Sequence, residues 1–188
     1  MKEGVTFFVM ALIGLVLACV YIESQGGNPF ASAHSPVSQG AAGNSIIGGP
    51  SLSAAKIDSI LSSAGSPAAG TGATFVYDSA QYDIDDAIAL AFMHHESSYG
   101  TSGIAVQTHS LGNIRCTDGY SCIGGFRAYG SWQDGITDWY KLMASPVYVG
   151  GGLTTLSQII PKYAPASEND PSAYIAAVES DVSTWRAA

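Results

Sequence analysis

A mainly α domain is predicted for this chain, with short helices packed round one buried helix and a small hairpin lobe beside the end of that helix. Three observations predict it. The stretch 85–100, DDAIALAFMHHESSYG, is apolar on every side between Ala87 and Met93, which places its helix in the middle of a domain rather than on its surface. Capped amphipathic stretches surround it in sequence. The segment 113–129, NIRCTDGYSCIGGFRAY, has instead the Gly-rich turns and alternation of a hairpin, and Cys116 and Cys122 bracket its first turn.

Taken in order, Val5 to Ile22 is 18 residues without a charge, about the minimum for a membrane span. An uncleaved anchor is the preferred reading, because the run exceeds a typical signal-peptide core and Ala31-Ser32-Ala33 lies too far downstream. A cleaved signal and a lipidated Cys19 are the alternatives. Residues 1–4 then stay inside the cell, since Lys2 precedes the run and no basic residue follows until Lys56, and the domain faces outward. Residues 23–49 are rich in Gly, Ser, Ala, Asn and Pro and read as a flexible linker. Residues 50–188 are the domain.

Within it, Ser51 or Ser53 starts a helix with Leu52, Ile57, Ile60, Leu61 and Ala64 at helical spacing, ended by Gly65. A short helix spans Phe75 to Gln81. Asp83 and Asp86 supply the capping and dipole-matching acids of the central helix, and Gly100 its stop. Ser131, backed by Asp134, caps a helix whose inward face is Trp132, Ile136, Trp139, Tyr140 and Met143. Thr155 and Gln158 form a capping box for Leu156 to Lys162, which Pro161 and Pro165 end. Asp170-Pro171 opens the last helix, with Tyr174, Ile175, Val178, Val182 and Trp185 on one face.

Composition and spacing narrow the chemistry. The net charge is −8 and only 12% of residues are charged, so no basic surface exists to hold nucleic acid. In an oxidising compartment Cys116 and Cys122 close a small disulfide; the rival reading, a metal or redox pair, lacks C-x-x-C spacing and a second ligand pair. His94-His95-Glu96 lacks the H-E-x-x-H pattern, because Tyr99 stands where the second histidine is needed. Adjacent histidines also point about 100° apart on a helix, and His109 is the only other nearby ligand. Neither metal nor cofactor is expected. Ser97 and Ser98 lack the G-x-S-x-G turn of a nucleophilic serine. Glu96 follows Phe92 by four residues and Ile88 by eight, so the apolar face of the central helix ends in a carboxyl group half withdrawn from water. Desolvation raises a carboxyl pKa, which suits a general acid; a solvated glutamate at a helix end is the alternative.

Four stretches, HESSYG, LGNIR, FRAYGSWQDGITDWYKLM and IIPKYAPASENDPSAYIAAV, together resemble in order and spacing the bacterial glucosaminidases of glycoside hydrolase family 73, within the lysozyme-like superfamily. The same domain is called mannosyl-glycoprotein endo-beta-N-acetylglucosaminidase, and the likeness covers about residues 50–188. The resemblance implies a lysozyme-like helical domain in which Glu96 protonates the leaving sugar oxygen, the division of labour known from lysozyme. It also implies a place near the cleft for Tyr163, whose phenol orients the N-acetyl group or the attacking water. Asn113 is then a sugar-binding or backbone-fixing residue, and Tyr99 and Tyr174 contact substrate. Arg115 either contacts substrate or pairs with Asp118. Asp118 is the candidate second carboxylate, with Asp134 and Glu168 behind it, unless the substrate N-acetyl group takes that role.

The implied activity is hydrolysis of β-1,4 bonds after N-acetylglucosamine in peptidoglycan or another N-acetylglucosamine-containing glycan, by a single-pass membrane protein with its domain outside the cell. Two rivals share the fold: a lytic transglycosylase giving 1,6-anhydro products, and a non-catalytic glycan-binding module.

Overall fold

The computed structural model describes residues 44–167 and 169–187. The expected cytoplasmic residues 1–4, the span 5–22, the linker as far as residue 43, and Glu168 lie outside the described residues. Among the described residues no helix is long and apolar enough to cross a membrane.

The body is helical. Helix α1 (Ala54–Ser63) is capped by Ser53, whose hydroxyl accepts from the Lys56 amide at 3.1 Å. Helix α2 (Gly72–Tyr82) starts earlier than Phe75, because Asp58 of α1 accepts from the amides of Gly70 and Gly72 at 3.0 and 2.8 Å and so caps it. A Cβ at Gly72 would lie 2.2 Å from the Ala54 carbonyl oxygen, so glycine is what lets α1 and α2 approach this closely.

Helix α3 (Asp86–Ser97) is the buried centre, with no exposed surface on Ala87, Leu90, Phe92 or Met93. Its cap is Asp85, which accepts from the Ala87 amide at 2.9 Å; Asp83, expected in that role, instead ends α2 in the left-handed conformation. Asp86 is fully buried and accepts from the Ser51 amide and hydroxyl and the Leu52 amide. Burial pushes its pKa up, and these bonds pull it back. The helix stops short of Gly100, since Ser98, Tyr99 and Gly100 all take positive φ.

Part of the stretch read as linker belongs to this body. Ile46 is fully buried, donating to the Thr154 carbonyl at 2.9 Å and accepting from the Asp85 amide at 3.0 Å. The packed domain therefore starts before residue 50.

A one-turn helix α4 (Ala105–Thr108) precedes the lobe. Strands β1 (Cys122–Ile123) and β2 (Phe126–Arg127) pair antiparallel, Cys122 opposite Arg127 and Ile123 opposite Phe126. They turn at Gly124-Gly125, both at positive φ as a two-residue hairpin turn requires. Cys116 and Cys122 are disulfide-bonded. The lobe is tied to the body through Asp138 of helix α5 (Trp132–Ala144). That carboxylate is 8% exposed, pairs with Arg127 at 2.7 Å, and accepts from the hydroxyls of Tyr129 and Tyr120 at 2.7 and 3.1 Å.

Ser131 caps α5, accepting from the Asp134 amide at 3.2 Å. Helix α6 (Leu156–Tyr163) carries the expected Thr155–Gln158 capping box, but Pro161 lies inside it rather than ending it. Proline has no N–H to give the Ser157 carbonyl one turn earlier, and Ser157 lies on the exposed side of the helix. Helix α7 (Pro171–Ala187) packs along α3. Its far end is pinned where α3 begins: Arg186 pairs with Asp85 and donates to the Ser51 hydroxyl at 3.2 Å.

Candidate active site

Phe92 of α3 is the centre of an aromatic cluster drawn from three other helices. Its ring centroid lies 5.3 Å from Trp139 of α5, 5.3 Å from Tyr163 of α6 and 5.5 Å from Tyr174 of α7. One turn on, the same face of α3 presents Glu96, so the carboxyl stands on an aromatic floor. The Tyr174 hydroxyl donates to Glu96 Oε1 at 2.8 Å. Burial pushes the Glu96 pKa up to about 7, against the smaller opposing pulls of the Tyr174 bond and the Arg115 charge. Near neutral pH a large share of molecules therefore hold the proton a general acid needs.

Glu96 faces a cleft of about 780 Å³. The lobe side supplies Asn113, Arg115, Thr117, Phe126 and Arg127, and the helical side Tyr148, Lys162, Tyr163, Asp170 and Tyr174, with His95 next to Glu96. Of the residues singled out in the sequence, the fold brings Glu96, Asn113, Arg115, Tyr163 and Tyr174 together here. Asn113, at φ 45°, donates from Nδ2 to the Glu96 carbonyl oxygen and ties the loop to the end of α3. The Tyr163 hydroxyl donates to the Gly112 carbonyl. Burial, then the neighbouring Glu96, push the Tyr163 pKa well up, so this phenol keeps its proton. Gly112 has no room for a side chain, as a Cβ would lie 2.5 Å from Trp139 Cδ1 and 3.0 Å from the Tyr163 hydroxyl. The Arg115 guanidinium lies 5.1 Å from the centroid of the Phe126 ring.

Two expected residues sit elsewhere. Tyr99 is 6% exposed and stacks on His94 at 4.6 Å, because the left-handed turn that ends α3 carries its ring to the His94 side of the helix. Asp118 is exposed in the turn before Gly119 and does not line the cleft. Asp134 is held by the Ser131 hydroxyl at 2.7 Å. Among the described residues, the carboxylates that line the cleft are those of Glu96 and Asp170. Asp170 accepts from the Ser172 and Ala173 amides at 3.0 and 3.1 Å, capping α7 one turn ahead of Tyr174. In the sequence Asp170 reads only as the start of a helix; its four-residue spacing from Tyr174 is the signal that it shares the cleft face. Lys162, whose Nζ lies 5.5 Å from the Tyr148 ring centroid, and His95 were missed as cleft residues.

The two histidines also depart from expectation. Both reach Asp181 Oδ2 of α7, His94 through Nδ1 at 2.6 Å and His95 through Nε2 at 3.4 Å. The rings leave α3 in different directions, but one uses its near nitrogen and the other its far one, and α7 places the carboxylate between them.

Residues 72–186 match the family described as Glucosaminidase: mannosyl-glycoprotein endo-beta-N-acetylglucosaminidase. The chain belongs to the glucosaminidase family. No curated protein matches it. Membership places this glucosaminidase among glycoside hydrolases, with a glycan as its ligand, and the matched stretch contains every cleft residue from His95 to Ala177. The helical body with its two-stranded lobe is consistent with a lysozyme-like domain.

The Tyr174 bond favours ionised Glu96, so Tyr174→Phe raises the Glu96 pKa further and moves the alkaline limb of the pH–rate profile to higher pH. A limb that stays in place, or moves down, would show that Tyr174 does not set the acidity of Glu96.

Proposed function

We propose that this glucosaminidase hydrolyses the β-1,4 bond after N-acetylglucosamine in peptidoglycan, with Glu96 giving its proton to the leaving sugar oxygen. The supporting observation is the placement of the Glu96 carboxyl on the Phe92 aromatic floor, in the cleft and hydrogen-bonded to Tyr174. A proton delivered there reaches the bridging oxygen of a glycan laid between lobe and helices, and the apolar floor keeps bulk water from competing for it. Asn113 holds the backbone of the acid in place, and Arg115 is in position on the lobe side to bind sugar oxygens. Tyr163 has committed its proton to Gly112, so what it can offer the N–H of an N-acetyl group or a water molecule is its phenol oxygen, which Trp139 also approaches as a donor.

The domain is proposed to lie outside the cell on an N-terminal anchor at residues 5–22. The Cys116–Cys122 disulfide suits an oxidising compartment of that kind.

Asp170, the other cleft carboxylate among the described residues, is engaged in capping α7. That favours a second reading, in which a sugar hydroxyl rather than water completes the reaction and a lytic transglycosylase results. Mass spectrometry of digested cell wall separates the two. Fragments ending in reducing N-acetylglucosamine support hydrolysis, and 1,6-anhydro-muropeptides would replace it with the second reading. Binding to the wall with no fragments released would leave only a glycan-binding module.

A further inference from the structure

We propose that His94, His95 and Asp181 form a site for a divalent transition-metal ion of the zinc class, which clamps α7 onto α3 beside the candidate active site. No step of the hydrolysis passes through the ion, so this site stands or falls separately from the function proposed above.

Donor chemistry is the first argument. Two imidazoles and one carboxylate suit zinc, nickel or copper better than magnesium or calcium, which prefer oxygen ligands throughout. Geometry is the second. One ligand atom from each residue lies within 4.8 Å of the others. An ion bonded at about 2.0–2.1 Å to tetrahedrally placed ligands sets them roughly 3.3 Å apart. His95 Nε2 and Asp181 Oδ2, at 3.4 Å, already have that separation. His94 Nδ1 and Asp181 Oδ2, at 2.6 Å, share a hydrogen bond, and they open by less than about 1 Å once that proton leaves to solvent and the ion takes its place.

The third argument is that the rings are already oriented. His94 lies flat on Tyr99, with centroids 4.6 Å apart and planes within 2°. His95 packs against Tyr174, with ring centroids 5.2 Å apart. The ligands therefore come from two helices, with both rings supported from outside the site. The His94 and Asp181 side chains are 40% and 23% exposed, which gives an ion a way in and leaves water to complete its coordination.

The test uses untagged full-length chain, stripped with a chelator and then titrated with zinc chloride by calorimetry and with cobalt(II) by visible absorption. One ion per chain is expected, with a cobalt d–d spectrum of low coordination number and a melting temperature that rises with zinc concentration. Asp181→Asn and His94→Gln should each weaken binding by about 10-fold or more, and His109→Gln should bind like the parent. Circular dichroism checks each variant first, and the more exposed His94 keeps the test available if Asp181→Asn does not fold. Absence of saturable one-to-one binding overturns the site. So does unchanged affinity in the folded variants, or an equal loss in His109→Gln.

Discussion

Glu96→Gln lowers kcat on isolated cell wall by about 10²- to 10⁴-fold, the usual contribution of a positioned general acid. KM changes little, because the glutamine carbonyl still accepts from Tyr174 and the cleft keeps its shape. The same substitution should also stabilise the fold, in a pH-dependent way. The Glu96 pKa rises from its ordinary 4.5 to about 7 on folding, chiefly through burial. A group that binds its proton more tightly when folded loses stability as pH climbs through that interval, and the loss is complete above the folded value. Glutamine never ionises. Above about pH 8 the variant should therefore exceed the parent by ~2–3 kcal/mol, while below about pH 4 the two should be equal. Urea denaturation at the two pH values, with the chelator present, reads the difference. A gap that does not widen with pH would show that the carboxyl is not desolvated, and an unimpaired kcat would remove Glu96 from the reaction.

Asp138→Ala should cost about 3–5 kcal/mol of stability. It leaves the Arg127 guanidinium, 8% exposed, without its counter-charge, and it takes the acceptor from the Tyr120 and Tyr129 hydroxyls. The expense lies in stranding a buried charge more than in the worth of the pair, so Arg127→Met combined with Asp138→Leu should recover most of the loss. The damage belongs at the join between lobe and body, where amide exchange of residues 114–129 should quicken before that of α3 does. A loss below about 1 kcal/mol would mean that the disulfide and hairpin hold the lobe without Asp138.

The centre of this molecule was legible because its signals are local. Ile88, Phe92 and Glu96 share a face through helical periodicity alone, and the Ser131 and Thr155 caps act on residues three positions away. What escaped depended on partners distant in the chain. Ile46 sits in a Gly- and Ser-rich stretch with no period, and only the Thr154 and Asp85 backbone gives it a place. Asp138 looks like a polar interruption of an apolar face until Arg127, Tyr129 and Tyr120 reach it from the lobe. The convergence of His94 and His95 is set by α7, nearly ninety residues downstream, and nothing in their own neighbourhood announces it. Tyr99 was misplaced for a related reason, since three consecutive positive-φ residues turn the chain where a helical extrapolation would carry it straight on.

The contact between Arg186 and Ser51 bears on how the domain can be rewired. It sets the last turn of α7 beside the segment leading into α1, at the pole of α3 remote from Glu96. A short peptide joining these two places would span little distance, and the exposed corner at residues 62–65 offers a site for new termini. A circular permutant opened there keeps α3, α5, α6, α7 and the lobe in their original order around the cleft, moves α1 from the front of the chain to the back, and gives up the Ile46 contacts with Thr154 and Asp85. If it folds and cleaves glycan, the site depends on which helices meet and not on which of them is made first.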